Sequence, residues 1–236
     1  MKVSHLFPLS LAILAMSIVP AFATGPITVV KAGYHTGYIP SGFDSNDRVQ
    51  IVGEGIFPNT CYRPATPRVE VDEVTREVKI APQAYQYDGI CLQMLVPFDQ
   101  TLNLGILAAG TYRVIQENGG GDLGNLRVGV ATSSDADDFL YAPISQAYTE
   151  THGGKTSVRV TGSFTDSCMR LVDVTVSVEP KVLVVLPIAE REARADCTAG
   201  NFPFDRSVEI GAVRSGRYLL HVRSLNGNAF NHLVDL

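Results

Sequence analysis

Four cysteines are the side chains of this 236-residue chain with the clearest potential for chemistry, namely Cys61, Cys91, Cys168 and Cys197. A catalytic thiol requires a lowered pKa, which a neighbouring histidine or a helix N-terminus provides. No histidine adjoins any of the four in the sequence, and no C-x-x-C or H-x-x-x-H pair supplies the clustered ligands of a zinc site. The sequence therefore favours structural disulfides over reactive or metal-binding thiols.

The spacing of the cysteines favours one of the three possible pairings. Cys61 and Cys91 are 30 residues apart, and Cys168 and Cys197 are 29 apart, so each half of the chain contains one pair. Disulfides are the default state of cysteine in an exported protein. We therefore expect Cys61 to bond to Cys91 and Cys168 to bond to Cys197.

The N-terminus has the features of a cleaved secretory signal. Lys2 precedes an apolar run over residues 6–18, and Ala21, Phe22 and Ala23 form a small-residue cleavage site. The run is too short for a stable membrane span. The sequence predicts a signal peptide over 1–23 and an exported protein, periplasmic or extracellular, without a transmembrane anchor after cleavage.

Composition argues against several function classes. The net charge of -5 is spread along the chain without a block of lysine or arginine, so we expect no binding to nucleic acid or to an anionic membrane. The segment THGGKTS at 151–157 lacks the first glycine of a phosphate-binding loop, and no G-x-S-x-G, H-E-x-x-H or dinucleotide motif occurs. We therefore expect no enzymatic activity and no cofactor.

A repeated motif divides the chain into two copies. GIFPNTCYR at 55–63 recurs as GSFTDSCMR at 162–170, and PFD at 97–99 recurs at 203–205. The order of these matches persists over about 60 residues, a length close to half of a typical domain. The sequence predicts a tandem duplication, with a first domain over 24–132, a linker over 133–142 and a second domain over 143–236.

Each copy has the pattern of an all-β domain. Short segments rich in valine, isoleucine, threonine and tyrosine alternate with glycine, proline, asparagine and aspartate. In the first copy this pattern predicts seven strands, near 27–32, 49–53, 68–74, 77–82, 101–104, 111–117 and 125–131. Only residues 188–196 favour one or two turns of helix.

Both copies contain a glycine two residues before a tyrosine, in LGILAAGTYRV and IGAVRSGRYLL. This pattern resembles the tyrosine corner of the immunoglobulin-like and fibronectin-type superfamily. The resemblance implies two tandem seven-stranded Greek-key sandwiches, in which Tyr112 and Tyr218 are structural and their hydroxyls bond to upstream backbone. The inter-sheet cysteine pair with its packed tryptophan is missing, and the resemblance implies no activity.

Antiparallel connectivity places both cysteines of the first copy in loops at one pole of its domain. Glycine-rich loops that present tyrosine, arginine and asparagine on a rigid scaffold are typical of recognition surfaces. Tyr62 is the residue of most interest, because the second copy has Met169 in its place; the alternative is that these tyrosines cover the disulfide and the loop cores. The candidate binding residues are Asn59, Tyr62, Arg63, Tyr85, Tyr87, Asp88, Glu117, Asn118 and Asp122.

Two acidic loops are weak candidates for calcium between the domains. Hard oxygen ligands that converge from two loops can hold this ion, although neither loop has an EF-hand register and aspartate-rich turns are common without a metal. Apart from these weak candidates we expect no metal site. The residues are Asp44, Asp47, Asp135, Asp137 and Asp138.

These observations favour an exported, non-catalytic binding or adhesion module that engages a protein or a glycan through loops at one pole of the first domain. One alternative is a structural, envelope-associated spacer. Another is a secreted hydrolase or hydrolase inhibitor, for which the sequence offers no recognisable set of nucleophile, base and metal.

Overall fold

The computed structural model describes residues 26–117, 119–135, 137–193 and 196–236, and most of these lie in β-strands. The described part contains no α-helix, and its one helical segment is a 3-10 turn at Leu225–Gly227. No helix in these ranges is long and apolar enough to cross a membrane. The predicted signal peptide lies outside the described residues.

The first half of the chain contains nine strands in two sheets. β2, β4 and β7 form a three-stranded antiparallel sheet, whereas β5, β6, β8 and β9 follow one another across the second sheet. β1 pairs with the last residues of β6, and β3 pairs in parallel with the end of β9. The strands are β1 (Thr28–Lys31), β2 (Tyr34–Tyr38), β3 (Phe43–Asp44), β4 (Val49–Phe57), β5 (Tyr62–Asp72), β6 (Glu77–Gln86), β7 (Val96–Gly105), β8 (Gly110–Gln116) and β9 (Gly121–Gly129).

The second half has the same strand order with seven strands. β10, β11 and β14 form a three-stranded antiparallel sheet, and β12, β13, β15 and β16 form a four-stranded sheet. The strands are β10 (Ile144–His152), β11 (Lys155–Asp166), β12 (Met169–Val178), β13 (Val182–Arg191), β14 (Ala199–Gly211), β15 (Arg217–Ser224) and β16 (Asn228–Asp235).

Strand pairing in both halves differs from the immunoglobulin-like arrangement that the sequence suggested. In that fold the third and fourth strands lie in opposite sheets. Here β5 and β6 form a hairpin within one sheet, and β6 pairs in parallel with β8, as β13 does with β15. The ten-residue strand β6 is long enough to pair with two strands along one side. Its first residues pair with β8, and its last residues pair with β1. The protein is an all-β sandwich, but its strand order is not the Greek key of the expectation.

Each half encloses its own apolar core between its two sheets. In the first, Ile51 and Leu102 of one sheet pack with Ile80 and Val114 of the other, and all four are almost completely buried. A second cluster, which includes Val158 and Leu220, fills the other half. Alternating apolar residues along the strands produce both cores, because successive side chains point to opposite faces of a sheet.

The two tyrosine corners are confirmed. The Tyr112 hydroxyl donates a hydrogen bond to the Ala108 carbonyl, and the Tyr218 hydroxyl donates one to the Arg214 carbonyl, each at 2.9 Å. Both rings are buried. They therefore serve the fold, as the sequence predicted.

A third apolar cluster joins the two halves. It combines residues of β2 and β4 with residues of β13, β15 and β16, so the four-stranded sheet of the second half is covered on both faces. A strand that is buried on both faces has a continuous apolar sequence, and β13 begins with such a sequence, VLVVLP. The members of this cluster are Tyr38, Val52, Val182, Val184, Leu219 and Leu233.

Polar contacts surround this interface. Arg217 pairs with Glu54 at 2.7 Å, and the Glu54 carboxylate also accepts a hydrogen bond from the Tyr38 hydroxyl at 2.8 Å. At another part of the interface, Arg223 is 3% exposed and pairs with Asp47 at 2.8 Å. The apolar cluster and the ion pairs around it therefore hold the two halves together.

The connection between the halves packs against the second of them. Tyr141 and Ala142 are buried, and Tyr141 forms an isolated bridge with Ile188. The prediction of helical turns over 188–196 is wrong, because Ile188 belongs to β13 and pairs with Asp173 of β12. Cross-strand pairing overrides the weak helical pattern there.

Candidate functional site at the disulfide pole

Glycine and phenylalanine in the repeated motif serve packing. A Cβ atom on Gly55 would collide with the Gly33 carbonyl and the Phe98 ring, and Gly162 has the same constraint beneath Phe204. Phe57, two residues after the first glycine, is 4% exposed. These motif residues are therefore explained by close approach of the backbone and by the core.

Both expected disulfides are present, and the described residues include no free cysteine. Around the Cys61–Cys91 bond, the Asn59 side chain accepts a hydrogen bond from the Cys61 amide at 3.0 Å. The Thr60 hydroxyl accepts a hydrogen bond from the Leu92 amide at 3.0 Å. The Thr60 amide donates a hydrogen bond to the Leu92 carbonyl at 3.2 Å. Together with the bond from the Tyr87 amide to the Cys61 carbonyl, one covalent bond and three hydrogen bonds thus fix the loop after β6 to the loop after β4.

The second copy builds the same scaffold. Asp166 accepts the Cys168 amide at 2.9 Å, as Asn59 does for Cys61. The Ser167 hydroxyl accepts a hydrogen bond from the Thr198 amide, and the Ser167 amide donates one to the Thr198 carbonyl. Both distances are 3.0 Å. The two poles therefore have matching backbone connections, which allows their side chains to be compared position by position.

The loop of the first copy exposes four large apolar side chains, which we call the apolar loop. Their exposed fractions are high, and the members are Ile90 at 102%, Leu92 at 64%, Met94 at 54% and Leu95 at 68%. The corresponding residues of the second copy are polar or small, namely Asp196, Thr198, Gly200 and Asn201. Asp196 and Thr198 lie in the equivalent loop, whereas Gly200 and Asn201 belong to β14. Because the second half forms an equivalent disulfide and equivalent hydrogen bonds with these residues, the apolar side chains are not needed for those bonds.

Two tyrosines extend this surface onto the adjoining sheet. Tyr85 is 38% exposed and lies between Arg63 of β5 and Val29 of β1. Tyr87 is 39% exposed and donates its amide to the Cys61 carbonyl at 2.9 Å. We call the apolar loop together with Arg63, Tyr85 and Tyr87 the disulfide pole.

Arg63 and its counterpart Arg170 have different partners. Arg170 pairs with Glu190 at 2.9 Å and with Glu192 at 3.5 Å. In the first copy these two glutamates are replaced by Tyr85 and Tyr87, as the strand registers show. The Arg63 guanidinium donates to the carbonyls of Thr60 and Tyr62 and has no carboxylate partner among the residues that the structure describes.

Tyr62 lies against the core of the first half. Its ring stacks on Phe57 with centroids 5.7 Å apart, and Phe57 stacks on Phe98 at 3.9 Å. The side chain is half-buried as a result. Its position favours the alternative that this tyrosine covers the loop core.

The remaining candidate residues fall into two places. Asp88 begins the segment that contains the apolar loop. Glu117 pairs with Arg68 at 2.6 Å and Asp122 pairs with Arg113 at 2.8 Å, both at the β8–β9 turn. This turn adjoins the middle of β6, roughly 15 Å from its tyrosine end at 3.3 Å per residue. Asn118 lies outside the described residues.

The acidic loops surround an arginine. Arg223 pairs with Asp47 at 2.8 Å and approaches Asp137 at 3.7 Å, so it neutralises part of their charge. Burial raises the pKa of both Asp44 and Asp137. Among the described residues, no three carboxylates of this set, which also includes the exposed Asp135 and Asp138, bring ligand oxygens within 4.8 Å of one another.

Sequence reasoning identified the pole but not its most exposed residues. The candidates chosen from the sequence were polar or tyrosine residues, and the apolar side chains between Asp88 and Val96 were not among them. A position-by-position comparison of the two cysteine loops contains the missing signal, because Ile90 and Leu92 align with Asp196 and Thr198.

Comparison with known families finds that residues 51–126 match the model of the ORF11 beta-sandwich domain. The matched stretch begins in β4 and ends in β9, so it includes the first disulfide and the apolar loop. Its description as a β-sandwich agrees with the observed sheets. Curated proteins and solved structures yielded no significant match.

Proposed function

We propose that this protein is an exported, non-catalytic binding module of two tandem β-sandwich repeats, in which the first repeat recognises a protein through the disulfide pole. The duplication is supported by the shared strand order, by one equivalent disulfide in each half and by the paired tyrosine corners. Export to the periplasm or the extracellular space is supported by the two disulfides, which form in oxidising compartments.

The contrast between the two loops carries the proposal. Four apolar side chains remain exposed at positions where the second half has polar or small residues. Exposed apolar groups gain nothing from folding, and a contiguous patch of this kind marks an interaction site. The disulfide and the hydrogen bonds of Thr60 hold the loop in place, which reduces the entropy lost on binding.

The chemistry of the pole favours a protein as the partner. Tyrosine and arginine are enriched among protein–protein hot spots, and the aliphatic side chains beside them add apolar area that a partner can cover. The unpaired Arg63 guanidinium favours a partner that supplies a carboxylate next to an apolar segment. A membrane surface fits less well, because no lysine or arginine cluster accompanies the loop.

Exchange of the apolar loop for its polar counterpart tests this proposal. In the exchange variant, I90D, L92T, M94G and L95N introduce the residues of the second copy, so we expect the fold to be retained. Immobilised wild-type protein is used to select binders from a displayed random peptide library. We expect the selected peptides to bind the exchange variant at least about tenfold more weakly, because the loop provides their apolar contacts.

Val74→Asp provides the matched control, because Val74 is 94% exposed at the β5–β6 turn, away from the pole. We expect this variant to retain peptide binding. Equal binding of the selected peptides to wild type and to the exchange variant would show that the pole is not the recognition surface. A selection without any specific binder would also count against the proposal.

A structural spacer is the second candidate, and the packed interface between the halves favours it. A spacer requires the rigid pair but makes no use of the apolar loop. The peptide selection separates the two functions, since a spacer predicts no binding that depends on the disulfide pole.

A further inference from the structure

An open pocket in the second half lies between the edge strands β12 and β14. Its volume is about 330 Å³, and its walls are mainly aromatic and aliphatic. The residues that matter here are Phe164, Met169, Leu171, Phe202, Phe204 and Arg206. Nothing in the proposed function of the first half involves this pocket.

Arg206 occupies a position whose side chain points toward the sandwich interior. In the ladder between β11 and β14, Arg206 lies opposite Val160, Phe204 opposite Gly162 and Val208 opposite Val158. Val160 and Val158 are fully buried in the core of the second domain. Since paired residues share a face of the sheet, Arg206 belongs to the core-facing row, although it remains exposed.

The first half closes the equivalent gap with a neutral side chain. Gln100 takes the position of Arg206, accepts a hydrogen bond from the Tyr34 hydroxyl at 2.7 Å and donates one to the Ala65 carbonyl at 2.9 Å. These bonds connect β7 with β5 across the edge of the sandwich. In the second half Ile144 takes the place of Tyr34, so no hydroxyl is available.

The aromatic packing is also looser in the second half. Phe57 and Phe98 stack at 3.9 Å and Tyr62 stacks on Phe57, whereas Phe164 and Phe204 lie 5.0 Å apart and tilted, with Phe202 packed partly buried against the same cluster. The residue in the place of Tyr62 is Met169, which packs partly buried against this cluster. A flexible methionine therefore lies in the second half where a ring stacks in the first.

Arg206 is the uncompensated charge of this pocket. Arg170, the other cation of its lining, is paired with Glu190, and Asp205 is paired with Arg159 at 2.6 Å. In the part of the chain that the structure describes, the Arg206 guanidinium has no hydrogen bond or ion pair. Its planar donors fit a carboxylate, and the aromatic walls fit an apolar body.

We propose that this pocket binds a small organic carboxylate with an aromatic or branched aliphatic body. The carboxylate forms a charge-assisted pair with Arg206, and the body packs against Phe202, Phe204 and Met169. Both parts of such a ligand are required, because an exposed ion pair alone contributes little affinity in water.

Titration with 3-phenylpropionate and with its amide, 3-phenylpropionamide, tests the pocket. We expect the acid to bind the wild-type protein and to shift the backbone amide resonances of Phe202 and Phe204, with the amide about threefold to fivefold weaker, as expected for a pair with an exposed arginine. Arg206→Gln introduces the residue of the first half and is therefore compatible with the fold. We expect this variant to lose the preference for the acid, while Arg206→Lys retains part of it.

Arg214→Gln is the matched control, since Arg214 is exposed and does not line the pocket. We expect it to leave the affinity unchanged. Equal affinity for acid and amide, unaltered binding to the Arg206→Gln variant, or no saturable binding at all would each overturn the proposal. The exchange variant of the apolar loop should bind the acid as wild type does, so this result is independent of the disulfide pole.

Discussion

At the scale of single residues, His221 links stability to pH. The imidazole is fully buried beside Phe43, with ring centroids 5.7 Å apart, and its Nδ1 donates to the Asn231 side chain at 2.7 Å. Burial is the main cause that lowers the pKa of His221 to about 4; the hydrogen bond with Asn231 opposes this shift, and the charge of Arg223 adds to it. The folded state therefore favours the neutral ring.

We expect the His221 contribution to stability to be complete above pH ~6.5 and to decline as the pH falls toward 4, because the unfolded chain takes up the proton first. The shift corresponds to about 3 kcal/mol of unfolding free energy at the acid end. Urea denaturation between pH 4 and pH 6.5 measures the free energy of unfolding. The variant His221→Gln should show a weaker dependence of this free energy on pH. His232→Gln on β16 is the control, and a slope that is equal in wild type and in the His221 variant would contradict the prediction.

Residue types in the motif were predictable where they serve the fold. Asn59 and Phe57 have the turn and core roles that their types favour. The difference between Arg63 and Arg170 was not predictable from the motif, because it depends on whether tyrosine or glutamate lies across the strand. Cross-strand neighbours are known only when the register is known.

At the scale of elements, the disulfides hold the loops that form the two poles. The loop-entropy model assigns each bond roughly 3 to 4 kcal/mol for a closed loop of this length. We expect the double variant C61S/C91S to lose this amount of stability and also to lose peptide binding at the pole, because the apolar loop is released. Thermal unfolding and peptide titration measure the two effects.

The matched variant C168S/C197S removes the equivalent bond from the second half. It should lose a similar amount of stability while binding at the pole is retained. If C61S/C91S binds the selected peptides as tightly as wild type, the fixed loop conformation is not part of recognition.

Most strands were predictable from alternating apolar patterns, but their pairing was not. The seven expected strands correspond to β1 and β4 to β9, with longer bounds for several of them. β2 was missed because YHTGY combines glycine with polar residues, and its tyrosines serve two different cores. The parallel contact of β6 with β8 depends on the whole sheet, which local periodicity does not encode.

At the scale of the whole molecule, we expect the two halves to unfold together. Val184 is 5% exposed and belongs to the cluster that joins the halves, whereas its neighbour Val185 belongs to the core of the second domain. Val184→Glu should therefore separate the halves without destroying either core. Calorimetry should change from one transition to two, and the radius of gyration in solution should increase.

Val178→Glu serves as the control, because Val178 is 49% exposed on β12. It should preserve the single transition. Two transitions in the wild-type protein would show that the interface does not couple the halves.

The joining interface is heterologous, since it brings different faces of the two copies together, and such contacts can propagate into filaments. Charged residues at the corresponding outer positions oppose this growth, because a further contact would have to bury them. In the first half, the residues equivalent to Val182, Val184 and Leu219 are Glu77, Lys79 and Arg113. In the second half, the residue equivalent to Val52 is Arg159. Each end of the pair is therefore polar, which disfavours the addition of a further unit through the same contact.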